Sequence, residues 1–269
     1  MLGVPGMKSL TFDVKKTVRG KFKPSTEAER VFLKQLKKVA RVSGHIVERH
    51  ADGAKLTDEA EMTKELKAYS EKLGPWAARQ SAKMLEQIKK SNKRAYQNKS
   101  KAIGTALKLG VAEQDVLITA RKLLNEQVAL IKSIPLEAGL RAQKIAYEAV
   151  LVGTRAAVSA DDIMELQKQM GLTTEVTLAR ATLIARTETA RATASINQAR
   201  AQSVGSRQYR WHNSGDGAVR PSHKRLAGER LQGKIFSWDD PPTLDDGMTG
   251  NPGTFPNCRC FAEPVFDDE

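Results

Sequence analysis

The sequence predicts a mainly α-helical protein, in which an elongated helical amino-terminal region precedes a small α+β carboxyl-terminal domain with a few short strands. Apolar residues recur every three or four positions over most of residues 25–202, which is the period of an amphipathic helix. Segments rich in β-branched and aromatic residues follow after Gly205, in the part of the chain that holds both cysteines. The 269 residues suffice for one large domain or two of ordinary size.

Residues 1–24 are predicted to be a flexible arm, because they combine Gly, Pro and Lys with few apolar side chains. The segment has no apolar core followed by a cleavage site, so we expect no secretory signal. No apolar run in the chain approaches the length of a membrane span, and we expect no membrane contact. Two cysteines at Cys-x-Cys spacing are poorly placed for a disulfide, which favours synthesis in a reducing cytosol.

Residues 25–110 are predicted to form a basic helical region. Thr26 and Glu29 have the spacing of a capping box at the start of a first helix. A second helix is expected from about Thr57. The dipeptide Gly74-Pro75 ends the second helix and places a proline in the first turn of a third.

Positive charge is concentrated at the front of the chain. Residues 1–110 hold 25 Lys and Arg against 11 Asp and Glu, a net charge of +14, whereas residues 111–269 hold 19 against 20. This asymmetry predicts a polyanion as partner, and a solvated lysine-rich helix face is the alternative. The third helix lacks any base-reading motif, so we expect non-specific contact with double-stranded DNA. The residues assigned to it are Arg79, Lys83, Lys89, Lys90, Lys93, Arg94 and Lys99.

Residues 111–172 are predicted to form a helical hairpin region. An amphipathic helix begins near Val116, and Ser133-Ile134-Pro135 is expected to break it, because the residue before a proline avoids the helical conformation. The helical pattern resumes over residues 136–152. A short helix with a cap at Ser159 is expected to follow.

Residues 173–269 are predicted to form the carboxyl-terminal domain. Residues 174–202, rich in Ala and Thr, are expected to be the longest helix of the protein. Short strands are expected at Tyr209–Trp211, Ile235–Trp238 and Cys260–Glu263. Glycine and proline make the segment between the last two strands a long loop.

Polar side chains of the long helix are candidates for a structural role. Glu188 and Arg191 have the i,i+3 spacing of a helical ion pair. We interpret Arg186, Glu188 and the downstream Arg220 as a polar clasp onto the carboxyl-terminal unit. A catalytic role for Glu188 is disfavoured, because no second acid or nucleophile lies near it in the sequence.

His223, Cys258 and Cys260 are candidate zinc ligands, because imidazole nitrogen and thiolate sulfur suit this ion. Asp216, His212 or a water molecule would complete the four positions of a structural site. The alternative is that both thiols are buried and reduced, with His223 bonded to a carboxylate such as that of Asp216. A catalytic zinc would need a general base, and the sequence has no HExxH motif, P-loop or dinucleotide fingerprint.

Three runs of residues together resemble the phage Mu protein F-like family, the minor head or head morphogenesis proteins of tailed phages. They are Ile184-Ala185-Arg186-Thr187-Glu188-Thr189, then Trp211 with Asp216, Val219, Arg220 and His223, and finally Pro256-Asn257-Cys258-Arg259-Cys260. The resemblance covers about residues 110–269. The basic front part is similar to the family only in its general helical character.

The resemblance implies a non-enzymatic minor capsid protein that binds the portal protein at the unique vertex of the phage head. It further implies a role in head assembly and in DNA packaging or ejection. The expected location is the virion, assembled in the host cytoplasm, with the major capsid protein or a scaffold as further partners. The competing hypothesis is a zinc-dependent hydrolase or nuclease that uses His223, Cys258 and Cys260.

Overall fold

The computed structural model describes residues 22–154, 159–228 and 233–266. The described residues are 67% helical, with a small sheet of short strands near the carboxyl end, so the predicted mainly α class is confirmed. The helices in the described ranges are Thr26–Arg49 (α1), Glu59–Lys72 (α2), Gly74–Ile103 (α3), Glu113–Gly153 (α4), Ala160–Gly171 (α5), Thr173–Ser203 (α6) and Pro221–Ala227 (α7). The strands there are Ala51–Asp52 (β1), Lys55–Leu56 (β2), Gln208–His212 (β3), Ile235–Ser237 (β4) and Phe261–Val265 (β5).

The chain folds into two compact units, and each is built from segments that are distant in sequence. Their described residues are 22–29, 83–123, 186–228 and 233–266 for unit 1, and 30–82, 124–154 and 159–185 for unit 2. Four helices, α1, α3, α4 and α6, each contribute residues to both units.

Unit 2 is a helical assembly around a core of aliphatic side chains. The core includes Ile46 of α1, Leu66 of α2, Ile145 of α4 and Met170 of α5, all buried. These residues come from separate amphipathic helices, whose apolar faces are removed from water when they meet.

Gly44 permits an unusually close approach of α1 and α6 in unit 2. A Cβ at this position would lie 1.9 Å from Thr174 Oγ1 and 3.0 Å from the Thr174 Cα. The Thr174 hydroxyl also donates a hydrogen bond of 2.6 Å to Glu48. Because the obstructing atoms include backbone, any larger side chain at residue 44 would force the helices apart.

The predicted break at Ser133-Ile134-Pro135 is wrong, because α4 continues through Pro135 as one helix. Proline removes one backbone donor and costs stability in a helix interior, but tertiary contacts offset this cost. Ile131, just before the expected break, and Ile134, within it, are fully buried. Ser70 of α2 also donates a hydrogen bond to the nearby Lys132 carbonyl at 2.8 Å.

Unit 1 contains an antiparallel three-stranded sheet of order β4-β3-β5. β3 is the central strand, and its Tyr209 and Trp211 are fully buried. The strands were expected at these places, and all three are confirmed within one or two residues. A buried polar contact joins α3 to α6 in the same unit: the Tyr96 hydroxyl donates to the Asn197 backbone carbonyl at 3.0 Å.

The start of α1 differs slightly from the prediction. Ser25, not Thr26, accepts the capping hydrogen bond from the Ala28 amide, at 3.1 Å. The predicted flexible arm lies outside the described residues over positions 1–21. Phe22, at its end, is buried and meets Tyr96 edge to face, with ring centroids 5.3 Å apart.

Other helix boundaries agree closely with the sequence. Ser159 caps α5 as expected, accepting a hydrogen bond from the Asp162 amide. α6 covers the predicted range to within one residue at each end, but α4 exceeds it in length, with 41 residues against 31. The prediction that α6 is the longest helix is therefore wrong. That prediction assumed that a break at Pro135 ends α4. Among the described helices, none has an apolar stretch long enough for a bilayer crossing.

Candidate metal centre and basic helix

Two separate elements of unit 1 bring His223, Cys258 and Cys260 together. His223 lies in the short helix α7, whose first residue, Pro221, suits the start of a helix. The cysteines lie in the loop directly before β5. Asn257 turns this loop with a φ of 58°, a left-handed conformation that asparagine adopts more readily than most residues.

Close packing positions the loop and the histidine ring. Gly253, with a φ of 92°, brings the loop so near α6 that a Cβ would lie 3.2 Å from the Ala190 carbonyl oxygen. The His223 ring packs edge to face against Trp211 of β3, with ring centroids 5.6 Å apart, and at a tilt against Phe255, with centroids 5.3 Å apart. The ring is thereby held in place from two sides.

One nitrogen of His223 faces both sulfur atoms. His223 Nδ1 lies 3.4 Å from Cys258 Sγ and 3.4 Å from Cys260 Sγ. The three ligand atoms all lie within 4.8 Å of one another, and all three residues are buried. Both cysteines are free thiols rather than a disulfide.

Contact between the two cysteine side chains shifts their pKa values in opposite directions. The hydrogen bond from the Cys260 thiol lowers the pKa of Cys258 to about 4, against the opposing effect of burial, and His223 acts in the same direction. The same hydrogen bond, together with burial, raises the pKa of Cys260 above its ordinary value. A stabilised thiolate at neutral pH is the form in which cysteine binds a metal.

The geometry fits a zinc ion. Tetrahedral bonds of about 2.3 Å to sulfur and about 2.0 Å to nitrogen place the two atoms roughly 3.5 Å apart. The separations of 3.4 Å between nitrogen and sulfur agree with this value. The buried group of His223, Cys258 and Cys260 can therefore hold a metal ion through one imidazole and two thiolates.

The two residues suggested as a fourth ligand are engaged elsewhere. The Asp216 carboxylate bonds Ser214, the Ala218 amide and Arg259, so its assignment as a ligand is not supported by the geometry. The pKa of Asp216 is lowered, chiefly by its hydrogen bond with Ser214. His212 instead contacts Glu263, with 2.8 Å between His212 Nε2 and Glu263 Oε2.

Two members of the predicted polar clasp reach the cysteine loop. Arg186 donates to the Asn257 side-chain oxygen at 3.0 Å, and Arg220 donates to the Pro256 carbonyl at 2.9 Å. Glu188 does not join them, because its carboxylate pairs with Arg191 at 2.7 Å, as the i,i+3 spacing indicates. The clasp is thus formed by arginines on α6 and at the start of α7.

A small cavity of about 70 Å³ adjoins the three candidate ligands. Three arginines contribute to its wall, together with Asp216 and Ser214. These arginines are Arg186, Arg220 and Arg259. The candidate metal centre therefore borders a polar and positively charged cavity.

The basic face of α3 is largely exposed, as expected for a solvated or DNA-contacting helix. Arg79, Lys83, Lys90, Lys93 and Arg94 are exposed, and Lys89 is half-buried. Some of this charge is neutralised locally. The Glu86 carboxylate pairs with both Lys89 and Lys90, and Glu113 pairs with Lys93 at 2.9 Å.

The assignment of Lys99 to this face is wrong. Its side chain is buried, and its ammonium lies 3.2 Å from Glu263 Oε1. Helical periodicity accounts for the difference, because Lys99 follows the buried Asn92 by seven residues and Ala95 by four. Lys101, which the sequence assignment omits, is exposed and follows Arg94 by seven residues on the basic face.

Comparison with known proteins finds similarity in the carboxyl-terminal part of the chain. Residues 143–263, which include all three candidate ligands, match the family described as phage Mu protein F like protein. An uncharacterized protein of Haemophilus influenzae is 34% identical to the chain over 141 residues. The alignment covers 52% of this chain but only 28% of that relative. No solved structure matches the chain.

Proposed function

Because residues 143–263 match the phage Mu protein F-like family, we propose that the chain is a minor head protein bound at the portal vertex of a phage. The family suggests a head morphogenesis protein and a location in the virion. Its members are structural head proteins rather than known enzymes. In this role the chain acts in head assembly and in DNA packaging or ejection.

The portal-binding surface that we propose lies on the carboxyl-terminal half of α4. Leu136, Leu140, Tyr147 and Leu151 are exposed and recur at intervals of four and seven residues, so they share one helix face. An apolar helix face of this kind fits a hydrophobic groove of a partner protein. The main support for a minor head protein is the match of residues 143–263 to the family.

Capture experiments with the portal protein of the same phage genome test the proposal. We expect the portal protein to retain the full chain, and the double substitution L140E/Y147E to abolish retention. The control is L117E/I118E, which changes two exposed apolar residues in the amino-terminal half of the same helix. Failure of the portal protein to retain the unchanged chain would contradict the proposal.

The exposed basic face of α3 supports contact with DNA. From Lys83 to Lys101 the helix rises about 27 Å, roughly eight base-pair steps of one DNA strand. Arg79, Lys83 and Arg94 have no carboxylate partner among the described residues, so their charges are available to phosphates. Contacts of this kind are electrostatic and independent of sequence.

We also assign a structural zinc ion to His223, Cys258 and Cys260. Such an ion would link α7 to the loop before β5. A helix of seven residues has little stability of its own, so a bond from His223 to the metal would help to hold it in place. The matched N···S distances and the stabilised thiolate of Cys258 support this assignment. Metal analysis of protein purified under reducing conditions, without chelators, tests it directly.

A further inference from the structure

The three protein ligands leave one position of a tetrahedral metal site to be filled. We infer that this fourth position faces the adjoining cavity and takes a small anion with carboxylate-like chemistry, which the arginines of the cavity wall stabilise. The inference rests on the zinc assignment above, and names the ligand that would complete the site.

The cavity lies against all three ligand side chains and has room for a small ligand. Its volume of about 70 Å³ exceeds the space of about 10–15 Å³ that one water molecule requires. A formate ion contains only three heavy atoms, whereas an aromatic carboxylate such as benzoate is much larger. Size alone should therefore separate these two anions.

Among the described residues that line the cavity, Asp216 supplies the carboxylate, and it does not compete for the position. Asp216, the carboxylate on the cavity wall, already accepts hydrogen bonds from Ser214 and the Ala218 amide and pairs with Arg259 at 2.9 Å. Moving it onto the metal would break all three interactions. An external ligand avoids this cost.

The charges around the cavity favour an anion. Arg186, Arg220 and Arg259 contribute three positive charges. The Asp216 carboxylate and Glu29, which lies 3.5 Å from Arg186, balance two of them. A divalent ion with two thiolates adds no net charge, so one positive charge remains, which a monovalent anion neutralises.

The arginines also have donors to spare. In the described contacts Arg220 uses one guanidinium nitrogen, Nη2, to bond Pro256, and Arg259 uses Nη2 to bond Asp216. A guanidinium carries several N–H groups in a fork that matches a carboxylate. The cavity wall can thus offer hydrogen bonds as well as charge to the anion.

Cobalt substitution provides the test, because tetrahedral Co²⁺ absorbs visible light and its bands change when a ligand is exchanged. The full-length protein is loaded with Co²⁺ under reducing conditions and titrated with formate, and separately with benzoate. We expect formate to change the visible bands in a saturable way, and benzoate to leave them unchanged at equal concentration.

Three variants identify the source of the response. R220M should weaken formate binding by about tenfold, the reduction expected for a hydrogen bond to a charged group, while cobalt still binds. R225M is the matched control, because Arg225 lies on the same helix but pairs with Asp245 away from the cavity. D216N should leave the formate-free cobalt spectrum unchanged, whereas a changed spectrum would make Asp216 the fourth ligand and overturn the inference.

The outcomes separate this inference from the zinc assignment. Thiolate-to-cobalt charge-transfer bands without any response to formate would overturn the anion site and leave the metal centre intact. Absence of these charge-transfer bands would contradict the metal centre itself, and the anion site with it.

Discussion

Lys99 of α3 and Glu263 of β5 form a buried ion pair, with Lys99 Nζ 3.2 Å from Glu263 Oε1. The other oxygen of Glu263 lies 2.8 Å from His212 of β3. A single carboxylate therefore joins the basic helix to two strands of the carboxyl-terminal sheet, within the same unit as the candidate metal centre.

Substitution of Glu263 by Gln should destabilise the protein by about 3 kcal/mol, because breaking a buried ion pair leaves a charge poorly compensated in the interior. Urea unfolding of the wild type and of E263Q measures the difference. The control is E165Q, which removes one partner of the exposed pair with Lys168 and should change stability little. Equal effects of the two substitutions would contradict a structural role for the pair.

The same carboxylate predicts a dependence of stability on pH. Burial alone would raise the pKa of Glu263, but the hydrogen bond with His212 and the charge of Lys99 outweigh it and lower the pKa. A lowered folded-state pKa stabilises the protein above the unfolded-state value of about 4.3. The stabilisation is lost as the pH falls through the folded-state pKa.

Thermal unfolding of the wild type and E263Q between pH 7 and pH 3 measures this effect. The difference in Tm between the two proteins should be largest near neutral pH and should shrink below about pH 4. A difference that stays constant over this range would show that the carboxylate charge is not what stabilises the fold.

Removal of the zinc ligand His223 should lower thermal stability. A ligand present at a thousandfold its Kd adds about 4 kcal/mol to the folded state, and H223A forfeits this contribution. We expect C258S and C260S to release zinc and lower Tm in the same way, and a chelator to reduce the Tm of the wild type alone. Elemental analysis and calorimetry together provide the measurement.

This prediction also separates the structural zinc from the competing hydrolase hypothesis. A catalytic centre would lose hydrolytic or nuclease activity in H223A while its Tm stayed unchanged. A wild-type protein that purifies without metal under reducing conditions would contradict both hypotheses.

The basic face of α3 should contact several phosphates. Affinity falls as salt concentration rises, and each lysine–phosphate or arginine–phosphate interaction that is removed reduces the magnitude of the slope of log affinity against log salt concentration by about 0.9. The triple variant K83Q/K90Q/R94Q should therefore reduce this magnitude by about 2 to 3. The matched control, K64Q/K144Q/K168Q, removes three charges from exposed lysines outside α3. Equal slopes for the two triple variants would show that net charge, rather than this face, determines binding.

Local signals predicted much of the fold. The cap at Ser159 and the ends of α4 and α5 at glycines follow from side-chain chemistry within a few residues. The grouping of His223 with Cys258 and Cys260 was also expected, because few other residues in the chain have comparable affinity for zinc. The short helix that carries His223 was not predicted, since seven residues give little periodic signal.

Features that depend on distant contacts could not be predicted in the same way. Pro135 is a strong local signal for a break, yet burial of Ile131 and Ile134, which precede it, favours a continuous α4. Lys99 was assigned to the wrong face because the burial of Asn92, seven residues before it on the same helix face, is visible only in the structure. Its buried partner, Glu263, lies 164 residues away and had no signal in the sequence.

The portal-vertex assignment is tested most directly by quantifying this chain in purified phage heads assembled with and without the portal protein. Mass spectrometry of both preparations should find the chain in heads that contain the portal and not in heads that lack it. Equal amounts in the two preparations, or its absence from both, would contradict the assignment.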